Sequence, residues 1–243
     1  MTGQEMGRMI SVKKRLLLWM VLIMVCLSPA GRAATAFAPA DARQAQQMAL
    51  ELCEQCIYTS EYGANHSGLI RWEEPLRIYV GGKPYQADLK TLDTFCIQLA
   101  SRVPGLPNIT RVENESDANV CIYFVPLKQM KNYIPTYEEG NWGYVSYWYS
   151  NWKIYRMDIA VATDVTDQKE RNHLIMEEIT NGLGIANDHY EYKDSIAYQP
   201  WTTVQELSDV DWMMLNMIYH PDINPGMNWD TFRQITQRRI NDR

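Results

Sequence analysis

The most informative segment of this sequence is Glu177-Glu178-Ile179-Thr180-Asn181-Gly182-Leu183-Gly184-Ile185-Ala186-Asn187-Asp188. Glu177 and Asn181 stand four positions apart, which places both side chains on one face of a helix, while Glu178 lies about 100° round the axis. Gly184 suits the left-handed residue that ends a helix, after which the chain can swing Asn187 back toward that face. The segment therefore predicts a helix that ends in a turn and gathers polar side chains.

The same spacing resembles the active-site helix of the metzincin branch of the zinc peptidases. In their pattern, His-Glu-x-x-His-x-x-Gly-x-x-His, the His residues bind zinc and the Glu is the general base. Here Glu178 matches the catalytic Glu and Gly184 the turn Gly, but Glu177, Asn181 and Asn187 hold the three ligand positions. The resemblance implies a zincin-like fold with a degenerate metal site, in which Glu178 and Glu177 are the candidate catalytic residues.

Two further pieces of sequence extend the resemblance. Ser195-Ile196-Ala197-Tyr198 is similar to the metzincin Met-turn with Ala197 at the Met position, and Asp211 follows at a similar spacing. Residues 140–230 also resemble a family of exported bacterial proteins with no assigned role, domain of unknown function 2927. That likeness runs through Glu177-Glu178, Leu183-Gly184-Ile185, Asn187-Asp188, Ser195-Ile196, Ile218-Tyr219-His220-Pro221 and Pro225-Gly226-Met227.

The donor types at this helix set which metals could bind. Glu177, Asn181 and Asn187 form an oxygen set that suits Ca²⁺, Mg²⁺ or Mn²⁺ better than zinc. His173 and Glu177, also four apart, could instead make a zinc set with His189. We predict that no metal is bound, with one divalent ion, zinc or a harder one, as the alternative.

Aromatic residues crowd the segment before the helix. In zincin folds the strand at this place borders the substrate cleft, so Trp142, Tyr147 and Trp148, with Tyr198, are candidate substrate-binding residues. The competing interpretation, which we favour, is that alternate residues such as Tyr147 pack against the sheet.

The N-terminus has the pattern of a secretory signal peptide over residues 1–36, with cleavage near 33–36. A basic segment around Lys13 precedes the apolar run Leu16–Leu27, which is too short to span a bilayer at about 20 residues. Cleavage after residue 33 would change the net charge from -6 to -10, which disfavours nucleic-acid binding. We therefore predict an exported chain, periplasmic or extracellular, with no membrane span after processing.

The cysteine content is typical of export. Four cysteines remain after processing, and we expect them to form two disulfides of open connectivity, with a redox or metal pair as the alternative. They are Cys53, Cys56, Cys96 and Cys121.

Hydrophobic periodicity predicts strands early and helices late. Helices are expected at 41–60, 86–102, 166–183, 204–219 and 228–241, and strands at 76–80, 109–112, 119–125 and 156–162. The fold class is α+β: a small mixed β-sheet packed on the motif helix, with a helical C-terminal part. Residues 37–135 form an N-terminal α/β part and 136–243 the zincin-like part, expected to be one continuous domain.

These features predict a binding protein of the cell envelope rather than a peptidase. Its partner would be a peptide, a glycan or an envelope protein. The alternative is an enzyme, a metal-dependent hydrolase that uses the unusual Glu/Asn or His/Glu ligand set.

Overall fold

The computed structural model describes residues 7–11, 42–59 and 67–242. Its strands are β1 (Gly7–Ser11), β2 (Arg71–Trp72), β3 (Leu76–Gly82), β4 (Ile109–Arg111), β5 (Val120–Val125), β6 (Gly143–Ser150) and β7 (Lys153–Ala162). Its helices are α1 (Ala42–Tyr58), α2 (Gln86–Arg102), α3 (Met130–Tyr133), α4 (Gln168–Gly182), α5 (Asp209–Ile218) and α6 (Trp229–Asn241). Apart from β1, the remainder of the predicted signal peptide lies outside the described residues.

All of these strands belong to one mixed sheet in the order β1-β6-β7-β5-β3-β4, with β2 pairing on β7. β7, β5, β3 and β4 run parallel, whereas β6 is antiparallel to β7 and β1 is antiparallel to β6. Both residues 37–135 and residues 136–243 contribute strands to it. The predicted α+β class, a small mixed sheet packed on the motif helix with a helical C-terminal part, is confirmed.

Alternation along β5 explains the two hydrophobic clusters. Every residue of this central strand is buried because both faces of the sheet are covered. Val120, Ile122 and Phe124 face the main core beneath the helices, whereas Cys121 and Tyr123 face a smaller cluster on the opposite side. The motif helix α4 therefore lies in the main core and packs directly on the sheet.

The sheet also explains why the predicted disulfides are wrong: all four cysteines are free thiols. Cys121 lies on the opposite face of the sheet from Cys53 and Cys56, so the sheet separates them. Burial raises the pKa of Cys53 and Cys56 far above the usual thiol value, and raises that of Cys96 to about 12. Such thiols are poor nucleophiles, which disfavours the alternative of a redox pair.

Among the described helices, none combines the length and apolar character needed to cross a membrane.

Candidate functional site

The N-terminal end of α4 is fixed by a buried ion pair. Asp167 and Glu170 form a capping box that starts the helix. One turn further on, the guanidinium of Arg171 donates to Asp88 at the start of α2 over 3.0 Å, and both side chains are buried. Arg171 also donates to the carbonyl of Thr166 over 2.7 Å. These bonds set the position of α4 relative to α2 and the sheet.

The C-terminal end of α4 is capped by side chains from distant parts of the chain. The indole of Trp72 donates to the carbonyl of Gly182 over 2.9 Å, and the hydroxyl of Tyr219 donates to that of Leu183 over 2.8 Å. Gly184 has a φ of 112°, and a side chain there would meet the carbonyl of Ile70 at 2.7 Å. The Gly of the motif and the Tyr of the downstream pattern thus have structural roles.

Glu177 lies against His173 inside the protein. The two side chains are 1% and 0% exposed, and Glu177 Oε2 is 3.4 Å from His173 Nε2. His173 Nδ1 lies 3.1 Å from the carbonyl of Val204; because a carbonyl only accepts, Nδ1 carries the proton and donates. The second nitrogen therefore faces the carboxylate. The ring of Trp201 covers His173 edge-on at a centroid distance of 6.0 Å.

Glu178 points to a different neighbour, the first residue of β6. A Cβ on Gly143 would lie 2.5 Å from Glu178 Oε1 and 2.8 Å from a methyl group of Leu174. Only glycine at this position leaves room for the carboxylate, which is 2% exposed. The two adjacent Glu residues therefore have separate contacts, one with β6 and one with His173.

The oxygen ligand set is not assembled. Asn181 is buried on α4, but the amide of Asn187 donates to the carbonyl of Gln55 over 3.2 Å and also to Thr59, at the end of α1. The backbone of Asn187 likewise bonds α1, through the carbonyl of Cys56. The turn after the helix therefore directs this residue to α1, and the set does not fit a zinc ion.

The alternative set is only half assembled. His173 and Glu177 are in contact, but His189 Nδ1 faces the backbone N–H groups of Glu191 and Tyr192 at 3.3 and 3.4 Å. The same nitrogen lies 3.4 Å from the carboxylate of Glu191, so His189 is engaged by the turn that follows it and not by His173 and Glu177. Across residues 7–11, 42–59 and 67–242, no group of three His, Cys, Asp or Glu side chains is placed to hold a metal ion.

The turn that follows the motif is held by a single carboxylate. Asp211, at the start of α5 and fully buried, accepts from Ser195 Oγ at 2.5 Å and from the amide of Ile196 at 3.1 Å. It also accepts from the backbone and the hydroxyl of Ser208, each at 2.8 Å. Burial raises the pKa of Asp211 despite these hydrogen bonds, which act to lower it.

The aromatic candidates divide between core and surface. Tyr147 is 1% exposed and packs in the main core, as the favoured interpretation predicted, so it is not placed to contact a ligand. Trp142, Trp148 and Tyr198 are half-buried. Trp148 lies beside Arg156 and Trp142 meets Trp201 edge-on at 5.6 Å. Sequence reasoning missed Trp201, which stands in a segment without periodic pattern.

The fold and the site define a class: an α+β protein in which one mixed sheet packs on helix α4, and α4 carries buried polar side chains. Within that class, the chain belongs to the family described as Protein of unknown function (DUF2927), which it matches over residues 53–238, about three quarters of its length.

Comparison with other proteins adds two solved structures. "Structure of Myroilysin" has a TM-score of 0.40 and 11% identity, covering 62% of this chain and 82% of that one. "Crystal structure of myroilysin" has a TM-score of 0.39 and 11% identity, covering 62% and 86%. Likeness at this level carries no argument about activity. No curated protein matches the chain.

Proposed function

We propose that this protein is exported, lacks peptidase activity and binds an extended peptide segment of an envelope protein along the edge strand β6. The observation that carries the proposal is the antiparallel pairing of Gly7–Ser11 with Val145–Tyr149 of β6. Gly7–Ser11 lies inside the predicted signal peptide. Cleavage would remove β1 and leave the outer edge of β6 open to another strand.

An open edge strand is suited to peptide capture because its free N–H and C=O groups supply a ready template. In this sheet the edge carries large half-buried rings, Trp148 and Tyr149, which give a bound strand apolar contact area. Trp142 and Tyr198 provide further half-buried rings near the motif helix. Backbone pairing would supply affinity, and these rings would select side chains.

The absence of peptidase activity is supported by the residues at the ligand positions. Glu177 contacts His173, and Asn187 bonds α1. A zinc peptidase needs three protein ligands and an open position for water. The chain keeps the helix and the turn of that arrangement but uses its polar groups for internal contacts.

Strand addition can be tested with a peptide of residues 5–13 and the processed protein purified after export. We expect the peptide to slow hydrogen exchange at the amides of β6, because its backbone would pair with that strand. The matched control is the same peptide with Pro in place of Met9 and Ile10, which cannot donate to the ladder. Trp148→Ala should weaken binding by roughly tenfold. Binding without protection of β6, or equal binding of the Pro peptide, would refute strand addition; a glycan or another surface would then be sought.

A metal-dependent hydrolase is the second candidate, favoured by the 3.4 Å contact between His173 and Glu177. It is tested by elemental analysis of protein purified without chelator, together with peptide hydrolysis assays. About one equivalent of metal that is lost in Glu177→Ala, with turnover that is lost in Glu178→Gln, would replace the binding proposal. Turnover unchanged in Glu178→Gln would remove the general-base role.

A further inference from the structure

Residues 197–207 form a loop, here called the strap. One carboxylate binds the residues on both sides of this loop. Asp211 accepts from Ser195 and Ile196 just before the strap and from Ser208 just after it. A loop with its ends drawn together in this way has the closed neck of an Ω-loop. At the start of the strap, the carbonyl of Ala197 accepts from the amide of His189 over 3.0 Å, and the amide of Gln199 donates to the carbonyl of His189 over 2.9 Å. The part that can move without displacing the turn before it or α5 after it is therefore residues 200–207.

Residues 200–207 of the strap lie across α4, where Trp201 and Val204 pack against the main core as half-buried side chains and few hydrogen bonds are made. Val204 accepts from His173, and Gln205 bonds the carbonyl of Lys169 over 3.0 Å and the side chain of Asn172 over 3.1 Å. The ring of Trp201 rests between His173 and the ring of Trp142. Trp201 is thus the one aromatic residue of the strap centre that contacts both α4 and the segment entering β6.

Exposure differs sharply between the strap and what it covers. Between its buried ends, Ala197 and Leu207, every strap residue is half-exposed or exposed. Beneath it, His173 and Glu177 are buried almost completely. Burying a carboxylate and an imidazole costs free energy that rehydration would return. A weakly held cover over such groups opens more easily than a cover over apolar core.

We propose that the strap is a lid, latched by Trp201, that opens about its Asp211 neck and admits solvent and ligands to the polar face of α4. The inference goes beyond the proposed function, since it concerns α4 and not the outer edge of β6. It also gives the contact between Trp201 and Trp142 a role, because opening would uncover the start of β6.

The lid is tested by the rate at which diethyl pyrocarbonate modifies His173, mapped by peptide mass spectrometry. We expect Trp201→Ala to speed this modification by about tenfold, since two ring contacts of the latch are lost. The rate at which half-buried His220 is modified serves as the internal reference for the reactivity of the reagent, because His220 is remote in sequence from the strap. Trp148→Ala is the matched control, since Trp148 is a half-buried residue of β6 whose ring lies beside Arg156.

The reactivity of the Cys53 and Cys56 thiols distinguishes lid opening from global unfolding. Both residues are 0% exposed in the main core, so their thiols react only when the core opens. Faster modification of His173 with unchanged thiol reactivity supports the lid. Equal acceleration of both reporters would overturn it. Gln205→Ala, an exposed change that leaves the core intact, should give a smaller increase at His173. If neither variant changes the His173 rate, the strap is a fixed part of the fold.

Discussion

The first turn and the middle of α4 hold buried ionisable side chains in different ways. At the N-terminal end, Asp88 accepts from Arg171, from Gln168 over 2.7 Å and from the amide of Tyr85 over 2.8 Å, all within or beside regular helices. In the middle of the helix, Glu177 meets His173 at 3.4 Å. The first arrangement fixes the helix, whereas in the second His173 contacts Trp201 and Val204 of the strap. The same helix thus combines a rigid anchor with a concealed polar face.

The largest effect is expected at the anchor. Asp88→Ala would leave the guanidinium of Arg171 buried without its carboxylate and should lower the free energy of unfolding by about 3–5 kcal/mol. Asp93→Ala, on the same helix, breaks the exposed pair with Arg111 and should cost at most about 1 kcal/mol. Urea denaturation of both variants measures the difference. Similar losses in the two would show that the anchor has no special role.

A smaller effect is expected where Glu178 meets β6. Gly143→Ala places a methyl group against Glu178 Oε1 and Leu174, and should cost about 1–3 kcal/mol of stability. In the double variant with Glu178→Ala, part of that loss should be recovered because the crowding oxygen is gone. Strict additivity of the two changes, measured by chemical denaturation, would contradict the close packing of this pair.

Glu177→Gln should change stability by less than about 1 kcal/mol, because the buried charge and its cost of desolvation are removed together. The amide keeps the shape of the carboxylate beside His173. Thermal and urea unfolding would measure the change. A loss as large as that of Asp88→Ala would make Glu177 a second anchor and would remove the contrast between the first turn and the middle of α4.

The smallest effect concerns Asp158, on the opposite face of the sheet. Burial raises its pKa, although Arg156, 3.1 Å away, acts to lower it. A raised pKa in the folded state stabilises the protein below the unfolded value of about 3.9, and that stability is lost as the pH rises through the folded pKa. Asp158→Asn should therefore lose less stability than the wild type as the pH rises above about 4. Equal pH slopes in urea midpoints would contradict the shift.

The regular elements were largely predictable from sequence. The helix expected at 86–102 is Gln86–Arg102, and the motif helix expected at 166–183 is Gln168–Gly182. The apolar run of β5 correctly indicated a central strand. The helix α2 shows a helical hydrophobic period because one side of it packs against the core, whereas β5 is apolar throughout because both faces of the sheet are covered. The helix expected to begin at 204 begins at 209, although Ser208 and Asp211 have the spacing of a capping box that could have placed it.

The site was less predictable because it depends on tertiary contacts. The spacing correctly indicated a helix on which Glu177 and Asn181 share one face, but it could not show that both are buried or that Asn187 turns to α1. The prediction of two disulfides failed for the same reason, because nothing in the local sequence reveals which face of the sheet Cys121 occupies. The strap has no periodic signal, so its cover over His173 was invisible in sequence.

The hydrogen bonds from Asp211 to residues on both sides of the strap have a consequence for variation in the length of this loop. The distance between the two ends of the strap is set by one carboxylate and not by the number of residues between them. Doubling the length of a closed loop costs only about 0.6 kcal/mol of closure entropy. Insertions in the strap can therefore alter what covers α4, while the turn at Ser195 and the start of α5 keep their positions.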